Sequence, residues 1–152
     1  MPVQALFIAP FAIASIPLLL EDFRNKRLPN RIIYPTLLAT FLLILGDAVI
    51  ERDFQIFWRS ITSACLSFVF AFILYLFARG GLGAGDVKLY ALTGLALGTF
   101  SEPHVVPAAT FSIIGVALYS LFLIITKRAT AKTTVAFGPF IIIGAWISIF
   151  II

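Results

Sequence analysis

Charged residues make up only 12% of this 152-residue sequence, about half the share of an ordinary soluble domain. Hydrophobic residues reach 61%, with a mean hydropathy of +1.09. A water-soluble core of this size has no room for that much apolar surface, so the shortage of charge points to a bilayer as the solvent. Cysteine occurs once, at Cys65, inside an apolar run. A lone cysteine makes no intrachain disulfide and no metal site, and Cys65 is expected to pack as a small apolar residue. Histidine also occurs once, and His104 falls between apolar runs, where a solvated loop position is expected. No run alternates apolar and polar residues as a membrane barrel would, so helices are expected. The isoelectric point near 9.6 does not imply a nucleic-acid partner, because the basic residues are scattered through short loops. No carboxylate falls in the middle of an apolar run, which weighs against an ion- or proton-driven transporter.

What is present is a succession of apolar runs. A span needs about 20 apolar residues. Runs at 2–20, 32–50, 60–78, 87–100, 105–126 and 135–152 predict an all-α polytopic membrane protein of about six transmembrane helices, with its N-terminus outside. The first run lacks a positive segment before it, so an uncleaved helix is expected rather than a signal peptide. Six spans put nine of the eleven basic residues on one side, leaving only Arg52 and Arg59 on the other. The positive-inside rule assigns the richer side to the cytoplasm. Phe54, Phe57 and Trp58 have the spacing of an interfacial aromatic belt. The fourth run is short, about 21 Å as a helix against a hydrocarbon thickness of about 30 Å. Gly94 and Gly98 form a G-x-x-x-G step on it, suited to close helix packing. No linker or internal repeat divides the chain, so residues 1–152 are expected to form one membrane-embedded domain.

Seven acidic residues remain. Asp47, Glu51, Asp53 and Glu102 fall on the outer side; Glu21, Asp22 and Asp86 fall on the cytoplasmic side. Asp86 lies in the stretch Gly80-Gly81-Leu82-Gly83-Ala84-Gly85-Asp86-Val87-Lys88. Asp22 and Asp86 end the first run and begin the fourth at matching depth. If those helices pack together, the two carboxyls form a pair that shares one proton, one acting as base toward water and the other as acid. Glu21 and Asp22 point about 100° apart on a helix, so only one of them faces the fourth helix. The alternative is structural: Glu21 and Asp22 pair with Arg24 or Lys26, and Asp86 caps the fourth helix.

A resemblance bears on that choice. Gly83-Ala84-Gly85-Asp86-Val87-Lys88 resembles the GxGD element of polytopic aspartic peptidases, in the G-x-G-D-x-K form of the type IV prepilin peptidase family. Asp22-Phe23-Arg24-Asn25-Lys26-Arg27-Leu28-Pro29-Asn30 is similar to that family's aspartate, basic stretch and apolar-Pro-Asn step. Phe137-Gly138-Pro139-Phe140 resembles its last-helix G-P-F element. The resemblance implies a single peptidase domain over 1–152 in the cytoplasmic (inner) membrane, with Asp22 and Asp86 as catalytic aspartates and no metal or cofactor. It also implies a prepilin-like precursor as partner, carrying a basic leader and a hydrophobic helix, and leader removal at the cytoplasmic face. Gly83 and Gly85 would let the turn and a peptide approach Asp86. Lys88 would hold local charge, orient the loop or reach the interface as a snorkelling lysine. Pro29 and Asn30 would start the second helix, with Asn30 as its N-cap, and Gly138 and Pro139 would break the sixth. Long members of the family carry an extra region with paired cysteines and also methylate the new N-terminus. With no CxxC pair in this sequence, cleavage without N-methylation is expected, as in the short peptidases of tight-adherence (Flp-type) pilus systems. An archaeal-type preflagellin peptidase or a non-enzymatic membrane assembly subunit are the alternatives.

Overall fold

A computed structural model describes residues 2–78, 81–100, 104–127 and 135–151. Arg79, Gly80, Ser101, Glu102, Arg128 and Lys132, which the sequence reading uses for loops and topology, lie outside the described residues. The described residues form six helices: α1 (Pro2–Asn25), α2 (Asn30–Glu51), α3 (Gln55–Phe77), α4 (Ala84–Leu97), α5 (Val105–Ile125) and α6 (Gly138–Ile151). The chain is an all-helical, multi-pass membrane protein. Four stretches, Gln4–Asn25, Asn30–Glu51, Gln55–Phe77 and Val105–Ile125, are long and apolar enough to cross a bilayer, and Gly138–Ile151 is a shorter apolar helix.

Helix α4 is the centre around which the others are arranged. It packs against all five other helices, most extensively α3, while α5 packs chiefly on α6. Its 14 residues are buried almost throughout, including Leu89, Leu92, Leu95 and Ala96. A helix apolar or small on every side, yet too short to span, is stable only when its neighbours cover it. The outer helices turn large apolar side chains outward instead: Leu38 and Leu42 on α2, Leu66 and Ile73 on α3, and Leu118 and Leu121 on α5 are exposed. Such a surface is stable only where lipid covers it. Close approach of α3 and α4 depends on Gly94 and Gly98. A Cβ at Gly94 would stand 2.6 Å from the Ser63 carbonyl oxygen, and one at Gly98 would stand 2.6 Å from the Ser60 Cα. The C-terminal end of α4 is held by Arg59, whose Nε donates to the Gly98 carbonyl at 2.8 Å and whose Nη2 donates to that of Thr99 at 2.7 Å. A cation there answers the carbonyls and the negative end of the helix dipole.

Several local expectations change. Helix α1 does not stop at residue 20 but runs to Asn25, so Asp22 lies in its last turn; polar residues facing the interface do not end a helix. Helix α3 starts at Gln55 rather than at residue 60, so Phe57 lies on its first turn, edge-on to Phe41 of α2. Cys65 is exposed on the lipid side of α3, not packed inside. His104 is not a solvated loop residue. It is 4% exposed, lies against the Phe100 ring and has its Nδ1 3.1 Å from the Ser148 carbonyl oxygen. The Ser148 hydroxyl donates in turn to the His104 carbonyl at 2.8 Å.

Candidate active site

The first wall of the site is the last turn of α1. Residues 21 and 22 diverge as helical geometry requires. Asp22 turns inward and is 3% exposed, whereas Glu21 accepts a hydrogen bond from Asn25 Nδ2 at 3.1 Å on the exposed side. The inward carboxylate meets the start of α6: the Gly138 N–H donates to Asp22 Oδ2 at 3.0 Å. A Cβ at Gly138 would stand 2.7 Å from that oxygen, so a larger residue there would have to displace the carboxylate. Gly138 and Pro139 therefore begin α6 rather than break it. Proline is tolerated there because the first-turn N–H groups have no intrahelical partner.

The second wall is the N-terminus of α4. Gly83 is its N-cap residue, and Asp86, in the first turn, caps the helix with its side chain as the N3 member of a capping box, as the structural alternative expected. Asp86 Oδ2 accepts from the Gly83 N–H at 2.8 Å, and the residue is 7% exposed. Each aspartate is thus held through its Oδ2 by a backbone amide at the amino end of a 14-residue helix, Asp22 by α6 and Asp86 by α4. The positive end of a helix dipole favours a carboxylate there. The two side chains line one cleft of about 330 Å³, together with Lys26, Arg27, Leu28, Asn30, Gly83, Ala84, Gly85 and Lys88. Burial raises the Asp86 carboxyl above the ordinary carboxylate range, and the nearby Asp22 charge adds to the rise.

The α1–α2 loop closes the cleft. Lys26 takes a left-handed backbone conformation, φ 48°, which turns the chain out of α1. Pro29, not Asn30, is the N-cap of α2 (φ −72°, ψ 126°), and its carbonyl accepts from the Ile32 N–H at 3.0 Å. Proline suits this place because its fixed φ fits the extended cap residue. Asn30 is the first helical residue, and its Oδ1 accepts from Lys88 Nζ at 3.0 Å. The same ammonium lies 5.1 Å from the centre of the Tyr34 ring. Lys88 thus ties α4 to the start of α2.

Gly85 has a different neighbour from the one expected. A Cβ there would stand 3.0 Å from Leu28 Cβ, so a side chain of this protein occupies the clearance expected for a peptide. Leu28 is the residue that sequence reasoning left without a role. Its one signal was a leucine within the otherwise polar run before Pro29. All nine expected site residues, Asp22, Pro29, Asn30, Gly83, Gly85, Asp86, Lys88, Gly138 and Pro139, lie in this one region, though Pro29, Asn30 and Lys88 serve the frame.

Chemically, the cleft brings two buried carboxyls together with one oxygen of each engaged by an amide. Two carboxyls lining one cleft are an arrangement suited to general acid–base chemistry.

Comparison with known proteins agrees with that chemistry. The sequence pattern of the type IV leader peptidase family matches residues 9–126, a stretch that includes both aspartates. A prepilin leader peptidase/N-methyltransferase of Bacillus subtilis (strain 168) is 29% identical over 124 residues, covering 82% of this chain and 47% of that protein. The Escherichia coli (strain K12) protein of the same name is 29% identical over 128 residues, covering 84% and 55%. That of Pseudomonas putida is 26% identical over 149 residues, covering 97% and 50%. The chain spans about half the length of these curated relatives. No solved structure matches it.

Proposed function

The chain belongs to the type IV leader peptidase family, and from that membership we propose that it is a membrane aspartic endopeptidase that removes the leader from type IV prepilin-like precursors. The observation that carries this reading is the pair of buried aspartates, Asp22 and Asp86, lining one cleft. With one proton between them, the ionised carboxylate takes a proton from water while the protonated one donates to the scissile carbonyl oxygen. Water's oxygen bonds to the carbonyl carbon, giving a tetrahedral intermediate. The first carboxyl then returns its proton to the leaving nitrogen, the C–N bond breaks, and the pair recovers its shared proton. The amides of Gly138 and Gly83 hold one oxygen of each carboxyl.

The partner we propose is a precursor with a basic leader and a hydrophobic helix, the helix lying in the bilayer. The excess of basic residues in the loops after α1, α3 and α5 supports a cleft facing the cytoplasm and an N-terminus outside, in the inner membrane. For these 152 residues we propose hydrolysis without methyl transfer, since the sequence holds one cysteine and no CxxC pair.

Co-reconstitution of the purified chain with a type IV prepilin in lipid vesicles tests the activity. The expected outcome is a shortened pilin on a gel whose mature α-amine is free by mass spectrometry. A precursor that stays full length contradicts the peptidase reading and favours an assembly subunit. A methylated amine contradicts the proposal on methyl transfer alone.

A further inference from the structure

Leu28 stands between the first turn of α4, which bears Asp86, and the start of α6, whose Gly138 amide holds Asp22. On one side it bears on Gly85, next to Asp86 in sequence; a Cβ built there would lie 3.0 Å from Leu28 Cβ and 3.6 Å from its Cδ1. On the other side it bears on Gly138, whose amide holds Asp22; a Cβ there would lie 3.3 Å from Leu28 Cδ2. The side chain is also partly buried against the apolar core. A leucine serving burial alone meets other side chains; this one also meets two glycine backbones, each beside one of the paired aspartates.

The loop that carries Leu28 is anchored at both ends to parts of the site. The Lys26 N–H donates to the Asp22 carbonyl at 2.9 Å. Beyond Leu28, Pro29 caps α2 and Asn30 receives Lys88 from α4. A wedge on so short a tether moves little, and branched aliphatic atoms do not compress. We propose that Leu28 is a positioning residue that sets the spacing between the carboxyls of Asp22 and Asp86. The proposal rests on the reading of these aspartates as the catalytic pair. Proton sharing depends steeply on that spacing, because the coupling between the carboxyls separates their two titration steps.

Two measurements test it, one without substrate. In a Cys65→Ser background, Asp22→Cys and Asp86→Cys are joined by bifunctional methanethiosulfonates of graded length. The length that joins them fastest is expected to change with Leu28→Ala and to stay unchanged with Leu28→Met, a near-isosteric swap. The same optimum length with leucine, alanine and methionine overturns the proposal. In the vesicle assay with a type IV prepilin, Leu28→Ala is expected to lower kcat about tenfold to a hundredfold. KM should stay near the wild-type value, the two limbs of the pH–rate profile should move relative to each other, and Leu28→Met should recover most of the rate. Wild-type kcat in Leu28→Ala, or a lowered rate with both limbs in place, overturns it. A wild-type chain that leaves the prepilin uncut overturns the peptidase reading, while the cross-linking still decides the spacer.

Discussion

The two ends of α4 are built by the same physics and are put to different uses. At the C-terminal end, Arg59 answers the Gly98 and Thr99 carbonyls, the Thr99 hydroxyl donates to the Ala96 carbonyl at 2.7 Å, and His104 and Ser148 bond each other. Most polar groups there find partners within the protein; the buried Ser60 Oγ beside Gly98 does not. At the N-terminal end, the Gly83 amide takes only one oxygen of Asp86, and the Gly138 amide only one oxygen of Asp22. Both carboxyls line a cleft there. An end whose carbonyls are answered by a cation contributes stability. An end that presents titratable carboxyls to a cleft has capacity for chemistry.

Substitutions can break or sharpen that contrast. The largest effect is expected from the carboxyls: Asp22→Asn and Asp86→Asn should each lower leader cleavage by about 10²- to 10⁴-fold with little change in thermal stability, read by gel assay and a melting curve. Near wild-type cleavage in either variant would erase the distinction between the two ends. Next comes Gly138→Ala. Its Cβ falls 2.7 Å from Asp22 Oδ2, and displacing that carboxyl should lower kcat about tenfold to a hundredfold. At the other end of α4 the response should invert. Arg59→Met should cost about 1.5–3 kcal/mol of stability, as expected for lost hydrogen bonds from a charged donor, while kcat stays near wild type below the melting temperature. A fall in kcat without a fall in stability would show the two ends to be functionally joined. The smallest effect belongs to Glu21→Gln. Glu21 is bonded to Asn25 on the exposed side, and its neutralisation should leave cleavage within about twofold, the range of ordinary surface substitutions.

The apolar runs made the helical architecture legible, since a bilayer demands helices of predictable length. Depth put Asp22 and Asp86 on one side but left a structural reading of each open; the resemblance of the motifs around them made them the candidate pair. The partners of those aspartates were not legible. The Gly138 amide is 116 residues from Asp22, and Lys88 is 58 residues from the asparagine it binds; no local pattern encodes such contacts. Leu28 was hidden because two of its neighbours, Gly85 and Gly138, are glycines, which carry no apolar side chain to match. His104 was misplaced because a polar residue between apolar runs has the pattern of a loop, although a serine on α6 gives it a buried partner. Asn30 looked like a cap by residue type, but Pro29 holds the cap conformation and Lys88 takes the asparagine oxygen.

The pH dependence of kcat/KM for the wild-type chain on a type IV prepilin tests the shared proton most directly, because it reports the essential acid and base of the free enzyme. Below the lower limb both carboxyls are protonated and no base activates water; above the upper limb both are ionised and no acid serves the carbonyl oxygen. A proton-sharing Asp22–Asp86 pair therefore predicts a bell-shaped profile, with activity lost on both sides. A profile that rises to a plateau and stays there as pH increases would contradict it.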